Sequence, residues 1–181
     1  MKKVWSILIG ALLLTGCGTK LFNTPTKKVE AYFSNYQSLD KSVLKQLDKV
    51  VAEEEKFNTK QREAYRDLMK KHYRNLTYDI KDEKINGDTA TVTTEIEVTD
   101  YSKVLEDADQ YLKDHPKEFA DETTGDYNES AYMDYRIEKL KKADEKVKYT
   151  LEMTVTKVDG EWVIDNPSDV ALQKIHGIYR Y

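Results

Sequence analysis

Few residues of this 181-residue chain are equipped for chemistry, and they are scattered. Cys17 is the only thiol, which excludes an internal disulfide or a two-thiol redox centre. His72, His115 and His176 stand far apart and offer no H-x-x-x-H or H-E-x-x-H spacing for zinc. Structural or solvent-facing roles are expected of them. The acidic run 121–129 imitates a calcium loop, but Thr123 and Gly125 occupy ligand positions and Tyr132 replaces the closing glutamate. It reads as a solvated loop. Gly-rich phosphate loops, G-x-S-x-G elbows and C-x-x-C pairs are missing from the sequence, so neither a catalytic set nor a metal site is assigned. The tyrosines divide in two. Tyr32, Tyr36, Tyr65 and Tyr78 fall on apolar stripes and read as core. Tyr111, Tyr127, Tyr132 and Tyr135 fall among carboxylates and are the candidate partner-binding residues. Rigid amphipathic rings beside acids suit a cationic peptide, a glycan or a partner protein. The alternative is that they pack their segment onto the rest of the fold.

The surroundings of Cys17 are more informative. Lys2 and Lys3 precede an eleven-residue apolar stretch, 4–14, too short for the ~20 helical residues that span a bilayer. It ends in Leu14-Thr15-Gly16-Cys17, which resembles a bacterial lipobox. That resemblance implies a signal peptide over 1–16, cleaved between Gly16 and Cys17, with a diacylglycerol anchor on the Cys17 sulfur. No other cofactor is expected. Two or more acyl chains anchor stably where one holds marginally. Residues 17–23 then form the lipidated cysteine and a short tether, and the six residues 18–23 reach at most about 20 Å. The expected location is the extracytoplasmic face of a cell membrane.

Charged residues make up 34% of the chain, against roughly 25% in average soluble proteins. Without Lys2 and Lys3 the formal net charge moves from −4 to −6. Residues 24–76 carry a net +4 and residues 102–147 a net −5. Overall acidity with an export signal argues against nucleic acid as a partner. Lys27, Lys28, Lys41, Lys45 and Lys49 read as a solvated face, with anionic headgroups as the alternative contact.

The elements that would position these residues are punctuated clearly. Thr24 as N-cap with Pro25 at N1 opens a helix through Val29, Tyr32, Phe33, Tyr36 and Leu39. A second helix follows Asp40, through Val43, Leu44, Leu47, Val50 and Val51. Asn58 with Gln61 caps a third through Tyr65, Leu68, Met69 and His72. From Leu76 the period switches to two, and Asn86-Gly87 marks a hairpin. Matching apolar faces predict a three-residue loop there, pairing Ile80 with Val92, with Gly87 in the left-handed region. Asp159-Gly160 predicts a two-residue loop pairing Val155 with Ile164 and Lys157 with Trp162. Between the hairpins, residues 102–147 read as a helical insertion, with Ser102 and Asn128 as caps. A short helix after Ser168 or Asp169 ends at Gly177. The fold class is α+β: N-terminal helices on a curved antiparallel sheet of two hairpins, one domain over 24–181.

Thr24-Pro25-Thr26-Lys27-Lys28-Val29-Glu30-Ala31-Tyr32-Phe33, the Leu44 to Leu47 helix and the ending Asp159-Gly160-Glu161-Trp162-Val163-Ile164-Asp165 resemble bacterial lipoproteins of cystatin-like fold. These belong to the nuclear-transport-factor-like superfamily of helix-on-curved-sheet cones. The resemblance covers most of 24–100 and 148–166; the insertion departs from its simplest form. It implies a membrane-anchored, non-enzymatic binding or accessory module. The alternative it leaves is a small enzyme using the cone pocket with a His/Asp pair, for which His176 and Asp165 are the candidates.

Overall fold

The computed structural model describes residues 23–180; the signal-peptide reading, Gly16 and Cys17 lie outside the described residues. Three helices come first: α1 (Pro25–Ser38), α2 (Lys41–Glu53) and α3 (Thr59–Asn75). Their starts follow the expected chemistry. The side chains of Thr24, Asp40 and Asn58 accept hydrogen bonds from the backbone N–H groups of Lys27, Ser42 and Gln61. Asn58 and Gln61 form a full capping box, which satisfies two otherwise orphaned donors.

Two long strands, β1 (Thr77–Asn86) and β2 (Thr89–Thr99), follow. After the insertion come β3 (Lys146–Val158), β4 (Glu161–Ile164) and α6 (Asp169–Ile175). The four strands form one open antiparallel sheet in the order β1-β2-β3-β4. Even-numbered residues of β2 and odd-numbered residues of β3 turn inward, so Val92, Ile96, Val98, Leu151, Met153 and Val155 are all buried. Phe33 and Val29 of α1, also buried completely, lie in the same hydrophobic cluster. Leu68, Met69 and Tyr73 of α3 and Ile175 of α6 complete this main core.

The β3–β4 hairpin has the expected register, Val155 opposite Ile164 and Lys157 opposite Trp162. Asp159 and Gly160 both have positive φ, 51° and 84°, as a type I′ turn requires. The β1–β2 hairpin differs from expectation. Asn86 pairs with Thr89, Ile85 with Ala90 and Glu83 with Val92, around a two-residue Gly87-Asp88 turn. Gly87 does sit at φ 61°. The apolar faces are reconciled by a bulge at Lys81: Ile80 pairs with Thr94 and Asp82 with Thr93. One inserted residue swaps the faces of β1 midway, doing the work assigned to a longer loop. It also puts the exposed Glu83 on the α1 side of the sheet, where its carboxylate accepts from the backbone N–H (2.8 Å) and hydroxyl (2.6 Å) of Thr26. An acid thereby meets the positive end of α1.

Both hairpin turns lie at the end of the sheet where α1 begins. Asn23 is pinned there: its amide donates to the Gly160 carbonyl (3.1 Å), and its oxygen accepts from the Trp162 N–H (2.9 Å). The insertion leaves from the opposite end, where the Asp100 N–H meets the Glu145 carbonyl. The 11 residues of β2 separate the two ends by roughly 35 Å.

Candidate functional site

The insertion consists of α4 (Ser102–Asp114), a 3₁₀ turn (Pro116–Phe119) and α5 (Glu129–Lys141). Ser102 does not cap α4. Tyr101 stands at the N-cap without a side-chain bond, and the Asp100 carboxylate, one residue earlier, accepts from the Ser102 N–H (2.9 Å) and hydroxyl (2.6 Å). Asn128 caps α5 as expected. The turn holds Phe119 inward, where it forms a second hydrophobic cluster with Tyr132 and Met133. This cluster is built on helices, away from the sheet.

Gln61 joins the two halves. It is 1% exposed, and both ends of its amide are used. Its oxygen accepts from the Asn58 N–H (2.9 Å), closing the cap of α3. Its nitrogen donates to the Ser130 carbonyl (2.9 Å) and the Asp134 carboxylate (3.0 Å) on α5. A capping residue thus also ties α3 to the insertion. Lys56 to Glu129, at 2.6 Å, adds a second tie at the surface.

A cavity of about 220 Å³ lies at the seam between the two clusters. Val51, Leu68 and Leu140 of the main core form one side, and Met133 and Phe57 of the second cluster form the other. Tyr65 and Tyr101 add phenol rings, and Glu54 and Lys56 stand among the lining groups. Burial pushes the Tyr101 phenol up to about 12. Burial also raises Tyr65, with Arg136 pulling its phenol down and Glu54 pushing it up. Arg136 also lines the cavity. Its guanidinium lies 5.7 Å from the centre of the Tyr132 ring, and Nη1 makes only a weak 3.9 Å contact to the Met133 sulfur. Its Nε is buried without an acceptor. A cation on the wall of an apolar cavity can orient a negatively charged group in a way that water-exposed cations cannot.

The candidate tyrosines do come together, around Phe119. Tyr111 and Tyr135 stack at 5.0 Å, and Phe119 meets Tyr135 and Tyr132 edge-on at 5.3 Å each. Tyr127 joins through Tyr132 at 6.4 Å. Their exposure differs sharply. Tyr132 is buried and donates to Asp109 (2.6 Å), whereas Tyr127 is 53% exposed. Burial, then the hydrogen bond to Asp109, raises the Tyr132 phenol. Burial would raise the Asp109 carboxyl, but Tyr132 and Arg180 hold it below its usual range. Tyr111 and Tyr135 line a separate, more open cleft of about 430 Å³, with Lys139 over the Tyr135 ring at 5.0 Å. The tyrosines therefore pack the insertion against itself, and their stacked pair borders an open surface.

His72 and His176 lie at the other side of the core. His72, 2% exposed, donates from Nε2 to the Ile175 carbonyl (2.8 Å), and its Nδ1 has no partner. The His176 Nε2 meets the Tyr73 hydroxyl at 3.3 Å. Burial pushes both imidazoles down to about 4, and the charge of His72 adds to the effect on His176. The expected His176–Asp165 pairing is not formed; the Asp165 carboxylate accepts from the Thr156 hydroxyl (3.0 Å). Gly177, at φ 69°, packs so closely against the Thr99 carbonyl that a side chain there has no room. The inner face of the sheet is filled by Tyr149, Leu151, Met153 and their neighbours. In the acidic loop, Asp121 accepts from the N–H groups of Thr123 (2.9 Å) and Thr124 (3.0 Å). Among the described residues no group of three or more His, Cys, Asp or Glu is arranged to hold a metal, and no helix is long and apolar enough to cross a membrane.

Arg136, Met133 and Phe57 were not among the residues singled out from sequence. The available signal was Arg136 itself: it stands within the Met133, Ile137, Leu140 stripe, where a charge has no reason to be. Searches of family models, curated proteins and solved structures match nothing to this chain.

Proposed function

We propose that the chain is a lipid-anchored, extracytoplasmic binding module that receives a small apolar ligand in the seam cavity. The observation that carries this reading is the cavity itself, an apolar space of about 220 Å³ bounded by two hydrophobic clusters and by Arg136, whose Nε has no acceptor. Concave, mostly apolar sites with a few placed polar groups are the usual form of small-molecule sites. The anchor reading rests on Cys17 and the residues before it. It is supported by the position of Asn23 on the hairpin-turn end, which leaves the insertion roughly 35 Å farther along the sheet. An anchored chain would hold its cavity away from the bilayer. We read the sheet with α1 across it as the cystatin-like cone, its concave face used for packing, with the binding function displaced to the insertion.

The anchor and the cavity are tested separately. Cys17→Ser should move the chain from the membrane fraction to the soluble fraction; retention in the membrane would refute the anchor. The full chain carrying Cys17→Ser should then take up the neutral fluorophore N-phenyl-1-naphthylamine at one site. Met133→Trp, which fills the cavity, should abolish that uptake, and unchanged uptake would place binding elsewhere.

A further inference from the structure

Arg62 and Arg136 each keep a buried Nε without an acceptor, but Arg62 has an oxygen acceptor for its Nη2, whereas among the described residues the only acceptor near Arg136 is the Met133 sulfur. Arg66 pairs with Asp48, Arg180 meets Asp109 at 3.2 Å, and Arg62 donates to the Glu54 carbonyl at 3.1 Å. Arg136 takes part in none of the ion pairs formed among the described residues. Arg136 lies close enough to Asp109 to help lower its carboxyl, but the hydrogen bonds of the surrounding acids go to other groups. Asp109 holds Tyr132 and Arg180, Asp134 holds Gln61, Glu129 holds Lys56, and Glu54 turns back toward the Lys56 N–H (3.4 Å). A buried guanidinium Nε without an acceptor is costly unless something supplies one. The rest of the wall is hydrocarbon and aromatic.

Size and charge narrow the occupant. A volume of about 220 Å³ suits the body of a short chain or one ring. Glu54 at the cavity, and Glu129 beside Lys56, would repel a dianion more than a monoanion. We infer that the seam cavity binds a small amphipathic monocarboxylate, with its head on the Arg136 guanidinium and its apolar body against Val51, Leu68, Met133, Ile137 and Leu140. The inference rests on the cavity reading above and adds the chemical class of the ligand. The planar fork of arginine favours a carboxylate through two parallel hydrogen bonds, which lysine cannot reproduce.

The test compares octanoate with 1-octanol by calorimetric titration of the full chain carrying Cys17→Ser. Octanoate should bind at least ~10-fold more tightly than octanol, the scale of one charge-assisted pair. Arg136→Gln should weaken octanoate by ~10- to 100-fold and leave octanol within about twofold. Arg136→Lys should restore only part of the loss. Equal binding of the two probes, or octanoate binding unchanged by Arg136→Gln, would overturn the carboxylate inference while leaving the apolar cavity standing. Binding of neither probe would overturn both.

Discussion

The main core and the insertion cluster are stabilised in different ways, and the cavity lies where they meet. In the main core, alternation along β2 and β3 presents apolar side chains to α1 and α3, interrupted only by Thr94, and Phe33, Val92, Ile96 and Val155 have no exposure at all. In the insertion cluster only Phe119, Tyr132 and Met133 are buried, with Tyr111, Leu112 and Tyr135 half-buried around them. Polar ties supply what area does not: Gln61 across to α5, Tyr132 to Asp109, Lys56 to Glu129. A sheet-based core fills its space by periodicity, whereas a helical insertion docked through a few hydrogen bonds can leave space at the junction. That is where a ligand finds room without breaking the fold.

The sharpest contrast should come from one phenylalanine in each region. Phe33→Ala should lower global stability by about 3–5 kcal/mol in urea unfolding. Phe119→Ala should instead raise hydrogen exchange in 102–141 while the protection of β2 and β3 stays near its original level. Equal global losses would mean that the two clusters form one cooperative unit.

Acid should separate the regions by pH window. His72 and His176 remain neutral in the fold down to about pH 4, whereas unfolded histidines take up protons near 6.5. The stability they contribute is complete above about pH 6.5 and is lost as the pH falls toward 4, on the order of 3 kcal/mol per imidazole at most. The depressed Asp109 carboxyl acts the same way in a lower window: its contribution is present above the unfolded carboxyl value near 3.9 and fades below it. Urea midpoints between pH 7 and 4.5 should fall steeply, and His72→Gln should flatten that slope. A flat profile in the unmodified chain would contradict the buried, neutral histidines.

Gln61→Leu removes a cap and both ties to α5, leaving the Ser130 carbonyl and Asp134 without their donor. A loss of about 2 kcal/mol is expected, concentrated in α5 exchange rates. Thr94→Val should act oppositely and least. The Thr94 hydroxyl is buried in the main core without a partner, so an isosteric methyl should raise stability by about 1 kcal/mol in the same urea assay. A loss instead would indicate a hidden hydrogen bond.

Much of this architecture is legible in the residues. The caps at Thr24, Asp40, Asn58, Asn128 and Ser168, and the Asp159-Gly160 turn, are local chemistry, and local chemistry decided them. The β1–β2 register was not legible, because a bulge at Lys81 and a longer loop both reconcile the same alternation. At α4 the expected cap Ser102 is the first helical residue, because its own N–H and hydroxyl are taken by Asp100 and the N-cap falls on Tyr101. The candidate tyrosines share a sequence neighbourhood, but which of them is buried depends on Phe119, itself placed by the turn at Pro116. Arg136 is the least legible residue, since its isolation depends on where Asp109, Asp134 and Glu129 find their partners.

The most direct test of a cavity at the seam is amide hydrogen exchange of the full chain carrying Cys17→Ser, with and without saturating octanoate. Protection should rise in the C-terminal turn of α2, the middle of α3 and the 133–140 segment of α5, and remain unchanged in the two hairpin turns at the far end of the sheet. A rise spread evenly over the sheet, or none in α5, would contradict it.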